Sequence, residues 1–164
     1  MTRLSFTDVR GLILWMGVTF AAAWIGGTAS SGAGGFYGEL ARPGWAPPAW
    51  LFGPVWTLLY ILMGLGAWLV WRKRGVPGVS TALALYVVQL ALNALWTWLF
   101  FAWRSGAAAF IEILVLLAVL AATFVRFRKA SSAAALMLVP YILWTGFATI
   151  LTFSVWKANP LLLG

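Results

Sequence analysis

The sequence predicts an all-α integral membrane protein: a bundle of five transmembrane helices, N-in and C-out, with a long first loop capping the bundle. Two observations carry this. Of 164 residues, 63% are hydrophobic and only 9% are charged, against about 25% charged in soluble domains, so the chain cannot cover a water-facing surface. The apolar residues also fall into five runs, at about 11–29, 50–71, 79–103, 106–125 and 133–156, each close to the roughly 20 residues that a bilayer demands. Lipid offers exposed backbone groups no partners, so each run must be helical. Five helices and short loops consume nearly the whole chain, leaving residues 1–164 as a single membrane domain.

The first run follows Asp8 and Arg10 and carries no cleavage-site pattern, so it reads as a retained helix rather than a signal peptide. The connector after it has two parts: "GGTASSGAGG" (26–35), small and flexible, and "FYGELARPGWAPPAW" (36–50), aromatic and stiff. Pro47 and Pro48 forbid regular helix there, because neither can donate a backbone N–H. A flexible hinge followed by a stiff aromatic cap predicts a lid. Trp45 and Trp50 by themselves read as interfacial anchors, as membrane tryptophans commonly are, slightly ahead of ligand contacts.

The second run places Trp56 and Tyr60 at i, i+4, and the third places Gln89, Asn93 and Trp96 at i, i+4, i+7. The fifth places Tyr141, Trp144 and Ala148 at i, i+3, i+7. Each set shares one helix face. Amides in a membrane helix commonly serve interhelical hydrogen bonds worth about 0.6 kcal/mol, and aromatic residues at helical spacing commonly serve packing. The other reading is a shared aromatic cavity, suited to a large, flat, mostly apolar molecule held by stacking and a few polar contacts. In the fourth run, Glu112 is either an interfacial carboxylate or the partner of Arg104, eight residues earlier.

The net charge is +8, from 11 Lys and Arg against 3 acids. In a soluble chain that would invite nucleic acid; here the cations cluster between apolar runs and record topology, with no nucleic-acid partner implied. With five spans, Arg3, Arg10, Arg72, Lys73, Arg74, Arg126, Arg128 and Lys129 share the side of the N-terminus, and Arg42, Arg104 and Lys157 lie opposite. That bias puts the N-terminus in the cytoplasm and the first loop outside.

Cysteine and histidine are absent, which removes thiol chemistry, imidazole bases and the usual zinc, haem-axial and iron–sulfur ligands. Asp8, Glu39 and Glu112 are the only acids, and a serine without a base is not a triad. Gly32, Gly34 and Gly35 have no GK[ST] after them, so no phosphate loop forms. No acid–base constellation, metal or cofactor is expected.

Three segments, "FYGELARPGWAPPAWLFGPVWTLLYILMG" (36–64), "QLALNALWTWLFF" (89–101) and "VPYILWTGFATILTFSVW" (139–156), resemble the translocator protein/tryptophan-rich sensory protein family (TspO/MBR), also described as peripheral-type benzodiazepine receptors. They lie in order and span nearly the whole chain. The resemblance implies a five-helix membrane fold, homodimers, and a cavity capped by the first loop. It implies porphyrin ligands such as protoporphyrin IX and haem, sterols in eukaryotic members, and benzodiazepine- or isoquinoline-type drugs.

Carried over by position, Tyr37 and Pro47 resemble lid residues, and Trp56 and Tyr60 the second-helix wall. Gln89, Asn93 and Phe100 resemble third-helix contacts, and Trp144 and Ala148 those of the fifth. Agreement with the stripes found from spacing moves Gln89 and Asn93 to the ligand-binding reading. Trp56 and Trp144 resemble the tryptophans implicated in light-dependent porphyrin breakdown in some members, the only catalytic role on offer.

Three departures stand out. "LTFSVWK" has Phe153 where the family's sterol pattern has Tyr, and Thr152 where Asn is common, which speaks against high-affinity sterol binding. Val88, four residues after Ala84, spoils a small-xxx-small dimer face. Trp98 replaces a proline common in the third helix, so a kink there is expected to be missing.

The leading expectation is a membrane binding protein for tetrapyrroles and hydrophobic drug-like ligands, in transport, sequestration or stress regulation. The alternatives are a light- and oxygen-dependent porphyrin-degrading catalyst and a sterol or tetrapyrrole transporter. The basic bias points to the cytoplasmic membrane of a bacterium, and the resemblance also admits an outer membrane.

Overall fold

A computed structural model describes residues 5–164; Arg3, counted above toward the N-in orientation, lies outside the described residues. The first helix, α1 (Phe6–Ala29), begins five residues before its apolar run because Ser5 and Asp8 form a capping box. The Ser5 hydroxyl accepts from the Asp8 N–H at 3.1 Å, and the Asp8 carboxylate accepts from the Ser5 N–H at 3.0 Å. Charge at the helix start marks a cap here, not the end of helix.

The connector holds a short helix, α2 (Ala33–Glu39), between a turn and an irregular proline segment. The run read as a flexible hinge is thus helix, turn and helix: Gly26 to Ala29 finish α1, and Ala33 opens α2. Pro48 caps the next helix, α3 (Ala49–Trp71), which carries Pro54 near its start. Gly78, at φ 86°, turns the chain into α4 (Val79–Thr97). α4 continues without a break into a π-helical turn over Trp98–Ala102.

The last spans are α5 (Gly106–Ala130) and α6 (Ser132–Ala158), followed by a single turn, α7 (Pro160–Leu163). α5 outlasts its apolar run because Arg128 and Lys129, which end the hydropathy signal, are helix-compatible and suit a C-terminal last turn. Ser131 alone separates the two helices, its Oγ accepting from the Ala134 N–H at 3.3 Å.

α1, α3, α4 with its π turn, α5 and α6 are long and apolar enough to cross a membrane. The described chain is all-helical, and the protein is a multi-pass integral membrane protein. The helices close a ring in the order α1, α3, α6, α5, α4 and back to α1. At the end holding the N-terminus, Arg72 Nε meets Asp8 Oδ1 at 3.3 Å, and the Trp68 indole donates to the Asp8 carbonyl at 2.8 Å. The start of α1 and the end of α3 therefore share one end of the bundle.

That half of the ring is solidly packed. Met63, Tyr86, Phe127, Leu138 and Tyr141 are fully buried, and the Thr19 and Tyr86 hydroxyls hydrogen-bond at 2.6 Å. Glycines let backbones approach, as small residues do between membrane helices. A Cβ on Gly66 would sit 3.2 Å from the Ala134 carbonyl; at the opposite end of the bundle, one on Gly106 would enter the Trp156 indole.

The Gly106→Ala variant is expected to lose about 1–3 kcal/mol through overpacking. A lowered thermal midpoint in detergent measures this. Gly146→Ala, where nothing lies within 4 Å of the added carbon, is expected to leave the midpoint unchanged or slightly raised.

Candidate functional site

The half of the ring beneath α2 is not solid. A cavity of about 340 Å³ opens between the end of α1, the start of α3, the π turn of α4 and the C-terminal half of α6. That volume falls within the roughly 300–1,000 Å³ of small-molecule sites. α5 contributes nothing to its wall.

Aromatic residues from four elements face it, Trp96 and Phe101 from α4 and its π turn among them. Trp56 and Tyr60 come from α3, Trp144 from α6 and Tyr37 from α2, with Ala148 one turn beyond Trp144. The rings brace one another: Trp56 and Tyr60 have centroids 5.5 Å apart, Phe52 meets Trp144 edge-on at 5.9 Å, and Tyr37 meets Phe52 edge-on at 5.4 Å. No charged side chain lines the cavity. The wall offers aromatic faces for stacking.

Four of the nine residues expected to contact a ligand stand behind this wall. Asn93, 3% exposed, accepts from the Tyr60 hydroxyl at 2.5 Å and donates from Nδ2 to the Tyr141 hydroxyl at 3.0 Å. Its amide is already spent on two phenols, so it holds α3, α4 and α6 together from within. Gln89, one turn deeper, is fully buried, and neither of its amide atoms has a partner. Pro47 is buried in the lid, where its carbonyl accepts from the Tyr37 hydroxyl at 3.0 Å.

Phe100 is displaced by the π turn. In a regular helix it would share the face of Asn93, seven residues earlier. The extra residue in the wide turn shifts the register, so Phe101 reaches the cavity while Phe100 is buried and stacked on Trp96 at 5.2 Å. The proline-free third span thus has an irregularity of its own, and the Trp98 indole donates to the Ile25 carbonyl at 3.1 Å, tying the π turn to α1.

Other wall residues were not among the nine. Phe52 extends the Trp56–Tyr60 stripe backwards by one i, i+4 step, a signal present in the sequence. Trp96, seen in the third-span stripe, does line the cavity. Gly26, Gly27, Ala33 and Gly34 line it too, and their absent or minimal side chains leave room under the lid. Phe101 depends on the π turn and carried no signal, whereas Thr97 lies one i, i+4 step beyond Asn93 in regular helix.

The lid is pinned at two places. Besides the Tyr37–Pro47 bond, Asn159 after α6 clasps Ala41 in both directions, accepting from its N–H and donating to its carbonyl, each at 2.8 Å. Trp45 lies edge-on to Phe147 at 5.7 Å while 49% exposed, and Trp50 is 71% exposed. Glu112 does not pair with Arg104: its carboxylate is buried without a partner, whereas the Arg104 guanidinium lies 4.4 Å over the Phe36 ring.

Residues 15–157 match the model of the TspO/MBR family. The chain is 36% identical over 158 residues to the Tryptophan-rich protein TspO of Chlorobaculum tepidum, covering 93% of this chain and 98% of that one. It is 40% identical over 126 residues to the Translocator protein of Homo sapiens, covering 76% and 75%. It is 38% identical over 146 residues to the Tryptophan-rich sensory protein of Cereibacter sphaeroides, covering 87% and 90%.

The Asn93 bridge predicts a measurable coupling. Asn93→Ala is expected to destabilise the bundle by about 1 kcal/mol, and a cycle with Tyr60→Phe to return a coupling of about 0.6–1.7 kcal/mol. Unfolding titrations in mixed micelles read both.

Proposed function

The chain belongs to the TspO/MBR family, and from that premise we propose that its cavity binds tetrapyrroles such as protoporphyrin IX and haem, with hydrophobic drug-like molecules as further ligands. The observation that supports this most is the convergence of Trp56, Tyr60 and Trp144 on one cavity without a charged wall residue. A flat aromatic macrocycle gains from stacking on such rings and loses little by leaving water. Binding serves transport, sequestration or stress regulation in a bacterial membrane; two of the relatives named above are bacterial. In this reading the N-terminus is cytoplasmic, the lid faces outward, and the protein works as a homodimer. Sterols are weaker candidates, because Phe153 occupies the tyrosine position of the sterol pattern.

A second reading rests on Trp56 and Trp144 facing the same cavity. An indole beside a photoexcited porphyrin can give it an electron, which opens a route to light- and oxygen-dependent breakdown of the bound pigment.

Quenching of tryptophan fluorescence by protoporphyrin IX in detergent tests the binding reading. Trp144→Ala is expected to weaken binding roughly tenfold to a hundredfold, as loss of a central aromatic anchor does. Saturable quenching that is unchanged in this variant would place the ligand elsewhere. For the second reading, aerobic illumination of the bound pigment is expected to bleach it more slowly in Trp56→Phe and Trp144→Phe; equal bleaching removes that reading.

A further inference from the structure

The cavity wall is uncharged, but two arginines lie against the rings of the lid helix α2. Arg42 follows α2, and its guanidinium lies 4.5 Å from the centroid of the Tyr37 ring, which itself lines the cavity. Arg104 lies in the turn between the π segment and α5, three residues after the cavity-lining Phe101, and its guanidinium lies 4.4 Å over Phe36. Phe36 and Tyr37 are neighbours on α2, so the lid helix carries a guanidinium on each of two adjacent rings.

Neither arginine is neutralised. Both are exposed, and the one ion pair among the described residues joins Asp8 and Arg72 at the opposite end of the bundle. Glu39, although close in sequence, pairs with neither. Arg104 also holds φ 51°, the only described non-glycine residue in the left-handed region. Glycine or asparagine would take that conformation with less strain, so the backbone alone gives no reason for an arginine there.

Resting on the tetrapyrrole reading, we propose that Arg42 and Arg104 are specificity-determining residues that select ligands bearing carboxylates, holding the acidic substituents at the rim while the apolar ring system enters the cavity. Guanidinium is suited to this, since its planar fork can accept a carboxylate while its face stays on an aromatic ring. A carboxylate cannot be met inside the cavity, where no cation lines the wall. The preferred ligand class is therefore a flat, apolar macrocycle with acidic side chains at one edge, in preference to its neutral ester or to a sterol.

The test compares protoporphyrin IX with its dimethyl ester by tryptophan quenching of the full chain in detergent. Wild type is expected to bind the diacid about tenfold more tightly than the ester. Arg42→Gln and Arg104→Gln are each expected to lose roughly threefold to tenfold for the diacid and nothing for the ester, as exposed charge-assisted contacts do. The diacid advantage should shrink at high salt, and Arg42→Lys should retain part of it. Equal affinity of wild type for both porphyrins overturns the proposal. So does an equal loss of both in the Gln variants, which would show that the arginines only pin α2 through its rings. Ester binding that depends on Trp144 but not on the arginines leaves the tetrapyrrole reading standing while this inference fails. Binding of neither porphyrin by wild type overturns the tetrapyrrole reading and this one with it.

Discussion

One side chain sets the spacing of three membrane helices. In lipid, an amide has no water to fall back on, so Asn93 must find partners within the bundle. It finds Tyr60 on α3 and Tyr141 on α6. Those two phenols cannot move without leaving a buried amide unsatisfied, and Trp56, with its centroid 6.0 Å from that of Tyr141 and 5.5 Å from that of Tyr60, leans on both. The bridge therefore fixes the floor of the cavity, and the packed half of the ring below it supplies the rigidity. A polar contact of modest strength thus separates a solid half from a hollow one.

The hollow half stays open for a complementary reason. Its aromatic walls come from α3 and α6, but the facing end of α1 and the first turn of α2 present glycine, alanine and serine. Large rings against small residues leave a gap, and the lid keeps the gap from collapsing. The Tyr37–Pro47 bond and the Asn159–Ala41 clasp fasten the lid to itself and to the end of α6. Stiffness from Pro47 and Pro48 means that a few such bonds position the whole segment. The clasp ties the lid to the end of α6, so displacing the one disturbs the other.

Much of the site was legible because helical spacing is local. Trp56 with Tyr60, and Trp144 with Ala148, share a face whatever surrounds them, and these residues reach the cavity. Asn93 shares its face with Trp96, which does line the cavity, yet the Asn93 amide is turned to Tyr60 on α3 and Tyr141 on α6. Gln89, one turn deeper, is buried out of reach of the open space. Spacing says which residues look the same way; it does not say what they look at. Phe100 departs for another reason, because a π turn adds a residue and breaks the very periodicity on which its placement relied. The Arg104–Glu112 pairing likewise assumed that proximity in sequence decides an ion pair, whereas Arg104 lies over the Phe36 ring of a distant element.

The sequence by itself determined that this chain lives in a membrane as five helices, because hydropathy and the hydrogen-bonding demands of backbone in lipid leave no other outcome. It also determined the aromatic stock of the site and its family. Only the tertiary structure decided which polar groups are spent between helices and which side chains face empty space. It also decided that the glycine-rich run forms a helix end, a turn and a helix start that line the cavity. These outcomes depend on how helices far apart in sequence rotate against one another, and that rotation is chosen by packing and by the pairing of buried polar atoms, neither of which is written within any one segment.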